Sequence, residues 1–276
     1  MKGRGGVLGI GALFLAAVAS IWTTLAAPSA SSAPSKPPVQ AAPSTAAVPS
    51  ASPEVDEIVA RYIAARGGLK KIHSIQTLRQ KGRATMGAER QALVTRELKR
   101  PGRIRFEFTV QGVTGVYVSD GQRGWKVSPF DGEMGPQPLG DQVVTEASEQ
   151  ADIEGPLVDW KAKGHQVELA GREAIGGSEA YKLKVTLKGG AVLYNYIDVK
   201  SMYLVRTDST RQVRGRPLQI ETTFSDFKKT DGILFPRQVE MAAAGRPQRL
   251  RIVLDTVEVN PRLSDALFAF PASAKP

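Results

Sequence analysis

The sequence predicts a mainly β protein with helices, an antiparallel sheet covered by a few helical segments. Three observations carry this. Beyond residue 77, apolar and polar side chains alternate with a period of two, the mark of half-buried antiparallel strands. Turn dipeptides punctuate the alternation. Helical periodicity is confined to two places, just before the strands and between residues 141 and 163.

The first helix starts at Ser52-Pro53-Glu54, with a capping hydroxyl, proline at the first helical position and an acid in the first turn. Val55, Ile58, Val59, Tyr62 and Ile63 share one helix face. Gly67-Gly68 ends the helix, and Leu69–Ile75 adds a short helical turn. The strands follow. Leu78, Gly82, Ala84 and Met86 alternate with Arg79, Lys81, Arg83 and Thr85. Ile104, Phe106, Phe108 and Val110 alternate with Arg103, Arg105, Glu107 and Thr109. Leu183, Val185 and Leu187 repeat the pattern against lysines and a threonine, as do Leu218, Ile220, Thr222 and Phe224 against Gln219, Glu221, Thr223 and Ser225. Pro101-Gly102, Asp120-Gly121, Gly176-Gly177, Gly189-Gly190 and Asp231-Gly232 separate them. Strand length and turn spacing predict one sheet of about ten strands.

Residues 129–164 interrupt the strands. From Asp141 the run is helix-competent, and Pro156 is expected to open a second short helix. Val143, Val144, Ala147, Ile153, Leu157, Val158 and Trp160 supply its apolar positions. Such an insertion is either a helix covering the sheet core or a lid over a cavity.

Ahead of the folded part, Lys2 and Arg4 precede Val7–Ala27, a run of 21 residues without a charge. Residues 1–27 read as an export signal or a membrane anchor. No cysteine follows the small residues, so lipidation at that point is excluded. Residues 28–53 contain seven prolines and one charge, the composition of a semi-extended linker. The folded domain is assigned to residues 54–276, placed in the periplasm or cell envelope and anchored to the inner membrane if residues 7–27 are retained.

Composition removes several chemistries. With no cysteine there is no disulfide, thiolate site or thiol nucleophile. The two histidines, His73 and His165, lie 92 positions apart, so a histidine metal cage is not expected; His73 reads as structural and His165 as a surface residue. The net charge of +10 fits nucleic acid, anionic lipid headgroups or an acidic partner, and, because the charges are dispersed rather than blocked, it fits a mildly basic soluble domain equally well. There is no phosphate-binding G-x-x-x-x-G-K-[ST] loop and no H-E-x-x-H, and Gly176-Gly177-Ser178-Glu179-Ala180 lacks the last glycine of a nucleophile elbow. The paired carboxylates Asp226 and Asp231 in FSDFKKTDGILFP could serve acid–base chemistry or a metal. Asp231-Gly232 fits a hairpin turn better, because both residues tolerate positive φ.

Several landmarks in order then give a resemblance. ARGGLKKIHSIQTLRQKG (65–82), VSDGQRGWKVSPFDG (118–132), ADIEGPLVDWKAKGHQVELAGRE (151–173), FSDFKKTDGILFP (224–236) and NPRLSDALFAFP (260–271) resemble, in sequence and spacing, the LolA-like outer-membrane lipoprotein-sorting proteins. The resemblance implies a curved antiparallel sheet, an unclosed β-barrel, with lid helices over its mouth and acyl chains held between. It implies no enzyme, cofactor, metal or nucleic acid. The implied ligands are acyl chains or lipidated proteins, exchanged with a membrane-protein donor and acceptor, and a monomer is expected. The same fold also serves membrane-tethered sensors of a lipid or protein signal, the alternative reading. The family's carriers use an arginine near the cavity mouth as part of an opening switch, and no arginine of this chain aligns to it. On face alternation, Phe106, Phe108, Leu183, Val185 and Phe224, with Trp160 from the cover, are the candidates to line one hydrophobic pocket.

Overall fold

The computed structural model describes residues 53–86, 90–213 and 216–271. The charge-free run at 7–27 and the linker up to Ser52 lie outside these residues. The chain opens with α1 (Pro53–Ala65) and α2 (Leu69–His73), then runs through six strands: β1 (Thr77–Met86), β2 (Arg90–Lys99), β3 (Arg103–Val110), β4 (Val113–Ser119), β5 (Gly124–Ser128) and β6 (Glu133–Pro138). Helix α3 (Asp141–Gln150) and a run of turns lead to seven more: β7 (Gln166–Ile175), β8 (Ser178–Thr186), β9 (Val192–Asp198), β10 (Leu204–Val213), β11 (Arg216–Thr230), β12 (Ile233–Ala243) and β13 (Arg249–Val259).

All thirteen strands form a single sheet in the order β6-β5-β4-β3-β2-β1-β13-β12-β11-β10-β9-β8-β7, antiparallel throughout. This is two meanders joined in the middle by β1 and β13. The outer edges, β6 and β7, are consecutive in the chain yet do not pair, so the sheet is an unclosed barrel. A twisted sheet of this width curls. The connection from β6 to β7 has to pass from one edge to the other, and it carries α3.

The structure has more strands than the alternation suggested. One of the additions, β6, contains Pro136 and Pro138 and was read as part of the interruption. Proline is tolerated there because β6 is an edge strand. The expected helix at Pro156 does not form. Residues 156–164 are turns, with Asp159 at φ 52° and Gly155 and Gly164 also at positive φ.

Face alternation holds along the inner strands. Leu78, Ala84 and Met86 of β1 and Ile104, Phe106 and Phe108 of β3 are buried. Two cores result. In one, α3 lays Val143 and Ala147, with Ile153 beyond it, on Phe106, Phe108, Leu98 and Ile252. In the other, α1 lays Val55, Ile58, Val59 and Tyr62 on Val167, Leu183, Val185 and Ile197, with Leu157 and Trp160 beside them. On the outer surface of β4 and β5 the C-terminal segment packs Leu263 and Phe268 against Val118 and Trp125, and the Trp125 indole N–H donates to the Ala269 carbonyl at 2.9 Å.

Asp231-Gly232 is a two-residue hairpin loop, with Thr230 paired to Ile233 and φ of 52° and 76° at the two central positions. This is the double positive-φ turn that suits the strand twist. The tip docks on the helical corner. Gly67, at φ 121°, lies so close that a side chain there would meet the Gly232 carbonyl, and the Leu234 amide donates to the Arg66 carbonyl at 2.9 Å. Among the described residues the Asp226 side chain bonds Lys228 alone, at 3.0 Å on the exposed surface. Asp231→Ala is expected to lower stability by about 1 kcal/mol, the cost of left-handed backbone for a residue without a helpful side chain. An unchanged urea midpoint would count against this account of the turn.

Candidate functional site: the inner trough

Between the two cores the concave face of the sheet is left uncovered, and a trough runs across it. Its floor follows the register. Gln80 of β1 faces Arg96 of β2, which faces Phe106 of β3. Gly82 faces Leu254, and Ile252 faces Val239, which faces Phe224. Met241 faces Thr222, which faces Thr207. The larger lobe has a volume of about 330 Å³ and is walled by Val94, Phe106, Leu193, Ile220, Val239 and Leu254, among others. A second lobe of about 240 Å³ continues beneath residues 152–156, between Tyr62, Leu98, Tyr203 and Phe235. Gln80, Arg96, Phe224 and Pro236 line both lobes, so the two are parts of one trough. Val239, Met241, Leu254 and Phe224 are only half-buried although they point inward. Their remaining surface faces the trough.

The structure divides the six candidate side chains. Phe106 and Phe224 line the trough. Phe108 sits below it, fully buried, stacked on Phe130 at 5.2 Å and on Phe106 and Tyr117 at 6.1 Å. Gly115 leaves the room for that ring, since a side chain there would collide with it. Leu183 and Val185 lie under α1 with no exposed surface, and Trp160 packs at the edge of the same core. One pocket shared by all six does not form, because α1 fills the space above β7–β9. Residues the alternation left out make up much of the wall: Val239 and Met241, which alternate with Gln238 and Glu240, and Ile252 and Leu254, which alternate with Arg251, Val253 and Asp255.

Two arginines were also missed. Arg96 reaches across the trough from β2. One terminal nitrogen donates to the Gln150 carbonyl at the end of α3 at 2.5 Å, and the other to Gln80 Oε1 at 3.2 Å. Burial lowers its pKa to about 10. Arg211 of β10 comes from the other half of the sheet and bonds Glu149 at 3.3 Å. Burial raises the Glu149 carboxyl even though Arg211 is beside it. The last turn of α3 has no basic residue of its own, and these two arginines supply positive charge to that end of the helix dipole. The signal for them was present: Arg96 occupies an inward position of β2, between Val94 and Leu98.

The segment after α3 is pinned to the helical corner. Arg100 and Lys163 bond the buried Glu154 at 2.5 and 3.1 Å, and His73 Nε2 lies 2.6 Å from Asp159. Arg66 donates to the Glu154 carbonyl. His73, Glu154 and Asp159 could jointly face an ion, but Glu154 is already engaged by two cations. Burial pushes the Glu154 carboxyl up, and the hydrogen bonds and charges of Arg100 and Lys163 outweigh it, leaving its pKa below the ordinary value. A depressed carboxylate contributes stability above its unfolded pKa and loses it as the pH falls through the folded one. Stability is therefore expected to decline below about pH 4.5. The acid-side slope should be shallower in Glu154→Gln, as read from melting temperature against pH.

The His165 expectation needs one adjustment. It is half-buried and its Nδ1 accepts from the Lys188 amide at 3.0 Å, while burial and then Lys163 lower its pKa. A larger concavity, about 700 Å³, lies around Tyr194, Tyr196, Arg206 and Asp208. Several of its polar groups pair with one another: Tyr196 donates to Asp208 at 3.0 Å, and Arg206 pairs with Asp208 and Glu221. That lining does not suit an apolar ligand.

No protein-family model and no curated protein matches the sequence. Solved structures do match in shape. A DUF1329 family protein from Desulfovibrio piger superposes with a TM-score of 0.54 at 14% identity, over 78% of this chain and 97% of the other. A domain described as an outer membrane lipoprotein-sorting protein, from Vibrio parahaemolyticus, gives 0.51 at 10% identity over 77% and 94%. A LolA superfamily protein from Nitrosomonas europaea gives 0.51 at 14% over 78% and 97%. With a single unclosed antiparallel sheet whose edges are bridged by a helical connection, the chain has a LolA-like fold.

Proposed function

We propose that the protein is a non-catalytic, envelope-facing carrier that holds the acyl chains of a lipid or a lipidated protein in the inner trough. The observation that carries this reading is the half-buried inner face: Val239, Met241 and Leu254, at the margin of the core under α3, and Phe224 border the trough and stay only half-buried. Acyl chains gain about 0.8 kcal/mol per CH₂ removed from water, so an apolar trough is sufficient and no reactive group is needed. The lobes together fall within the usual size range of ligand pockets. The basic, apolar N-terminal run supports export, with the linker letting the domain work away from the membrane. Among the described residues no helix is long and apolar enough to cross a membrane.

The test is native mass spectrometry of the full chain, purified from its envelope fraction without delipidation, followed by extraction of bound lipid. Carriage predicts a bound mass that extracts as acyl lipid. A ligand-free protein that also takes up no added lipid would sink the reading, and would leave the tethered sensor of a protein signal in front.

A further inference from the structure

Arg96 is a cation in the wall of an apolar trough, and no carboxylate lies within ion-pair distance of it among the described residues. Its partners, Gln80 and the Gln150 carbonyl, are neutral, and its Nε–H has no partner among the described residues. Arg211 lines the same lobe, and its Nε–H is also buried without a partner there. Arg211 thus has a carboxylate partner, Glu149, while Arg96 has only neutral ones. Burying an unpaired charge or an unmade donor is costly. The cost is recovered if the counter-charge arrives with the ligand, because charge-assisted bonds from guanidinium to carboxylate or phosphate are the strong ones.

Resting on the carrier reading above, we propose that the ligand is an acyl chain bearing an anionic oxygen group, a carboxylate or a phosphate, which is seated by the guanidinium groups of Arg96 and Arg211, the two cations that line the larger lobe. Each also holds the end of α3 through one terminal nitrogen, Arg96 at the Gln150 carbonyl and Arg211 at Glu149. Polar recognition then selects among lipids that the apolar wall alone would not distinguish.

The experiment compares three probes with one chain and different heads: palmitate, hexadecyl phosphate and hexadecanol, each titrated into the full-length protein. Palmitate, hexadecyl phosphate or both are expected to bind at least tenfold tighter than hexadecanol, and the stronger of the two identifies the source of the anion. In Arg96→Gln and Arg211→Gln that preference should collapse while hexadecanol binding persists; Lys81→Glu, on the outer surface, should retain it. Equal binding of all three probes would overturn the anionic ligand and leave the carrier intact. A preference that survives in both arginine variants would assign it to general surface charge and overturn the proposal equally. Failure of all three to bind removes the carrier reading and the proposal with it. If the variants do not fold, carboxyl-labelled palmitate bound to the parent protein decides: an NMR resonance held ionised below the range where free fatty acid protonates supports the arginine seat, and ordinary titration overturns it.

Discussion

Val239→Glu is expected to reduce captured lipid at least tenfold while the protein still folds. Val239 points inward from β12 between Phe224 and Ile252 at the margin of the core under α3, yet stays only half-buried where it borders the trough. A carboxylate there can remain hydrated in the ligand-free protein, so the fold loses little. Once an acyl chain lies over it, that hydration is removed, and a tenfold loss needs only about 1.4 kcal/mol, well within the cost of burying an uncompensated charge. Lys81→Glu, exposed on the outer side of β1, should leave lipid capture unchanged. Lipid recovered per folded protein is the readout. Equal losses from the inward and outward changes would mean that the trough is not where the lipid sits.

Much of the fold could be read from the residues because the sheet obeys a simple periodicity. Leu78, Ala84, Met86, Ile104, Phe106 and Phe108 all face inward as their alternation requires. The same rule is silent on what covers an inward face. Phe106 and Leu183 look alike along their strands, but α3 stops short of the trough that Phe106 borders, whereas α1 closes over Leu183. That difference is tertiary and leaves no mark on the strand itself. Arg96 was overlooked for a related reason: a charged residue at an inward position reads as a break in a strand pattern, and only the position of the α3 C-terminus gives it a task. Strand β6 was hidden by its prolines, which an edge position permits. The paired aspartates were legible because a two-residue turn depends on local backbone chemistry alone.

Phe108→Ala and Leu183→Ala are expected to destabilise the protein by roughly 3–5 and 2–5 kcal/mol respectively, the range for emptying a packed aromatic or aliphatic site. Phe108 has no exposed surface and stacks with three other rings, and Leu183 is enclosed between β8 and the apolar face of α1. Neither borders the trough, so variants that remain folded should bind lipid with the affinity of the parent. Phe224→Ala should behave in the opposite way. It is only half-buried and lines the trough, so less packing is lost, and the effect should fall on lipid affinity. Denaturant midpoints and probe affinities, measured on the same three variants, separate the two classes. A Leu183→Ala protein as stable as the parent but deficient in lipid would return Leu183 to the ligand wall.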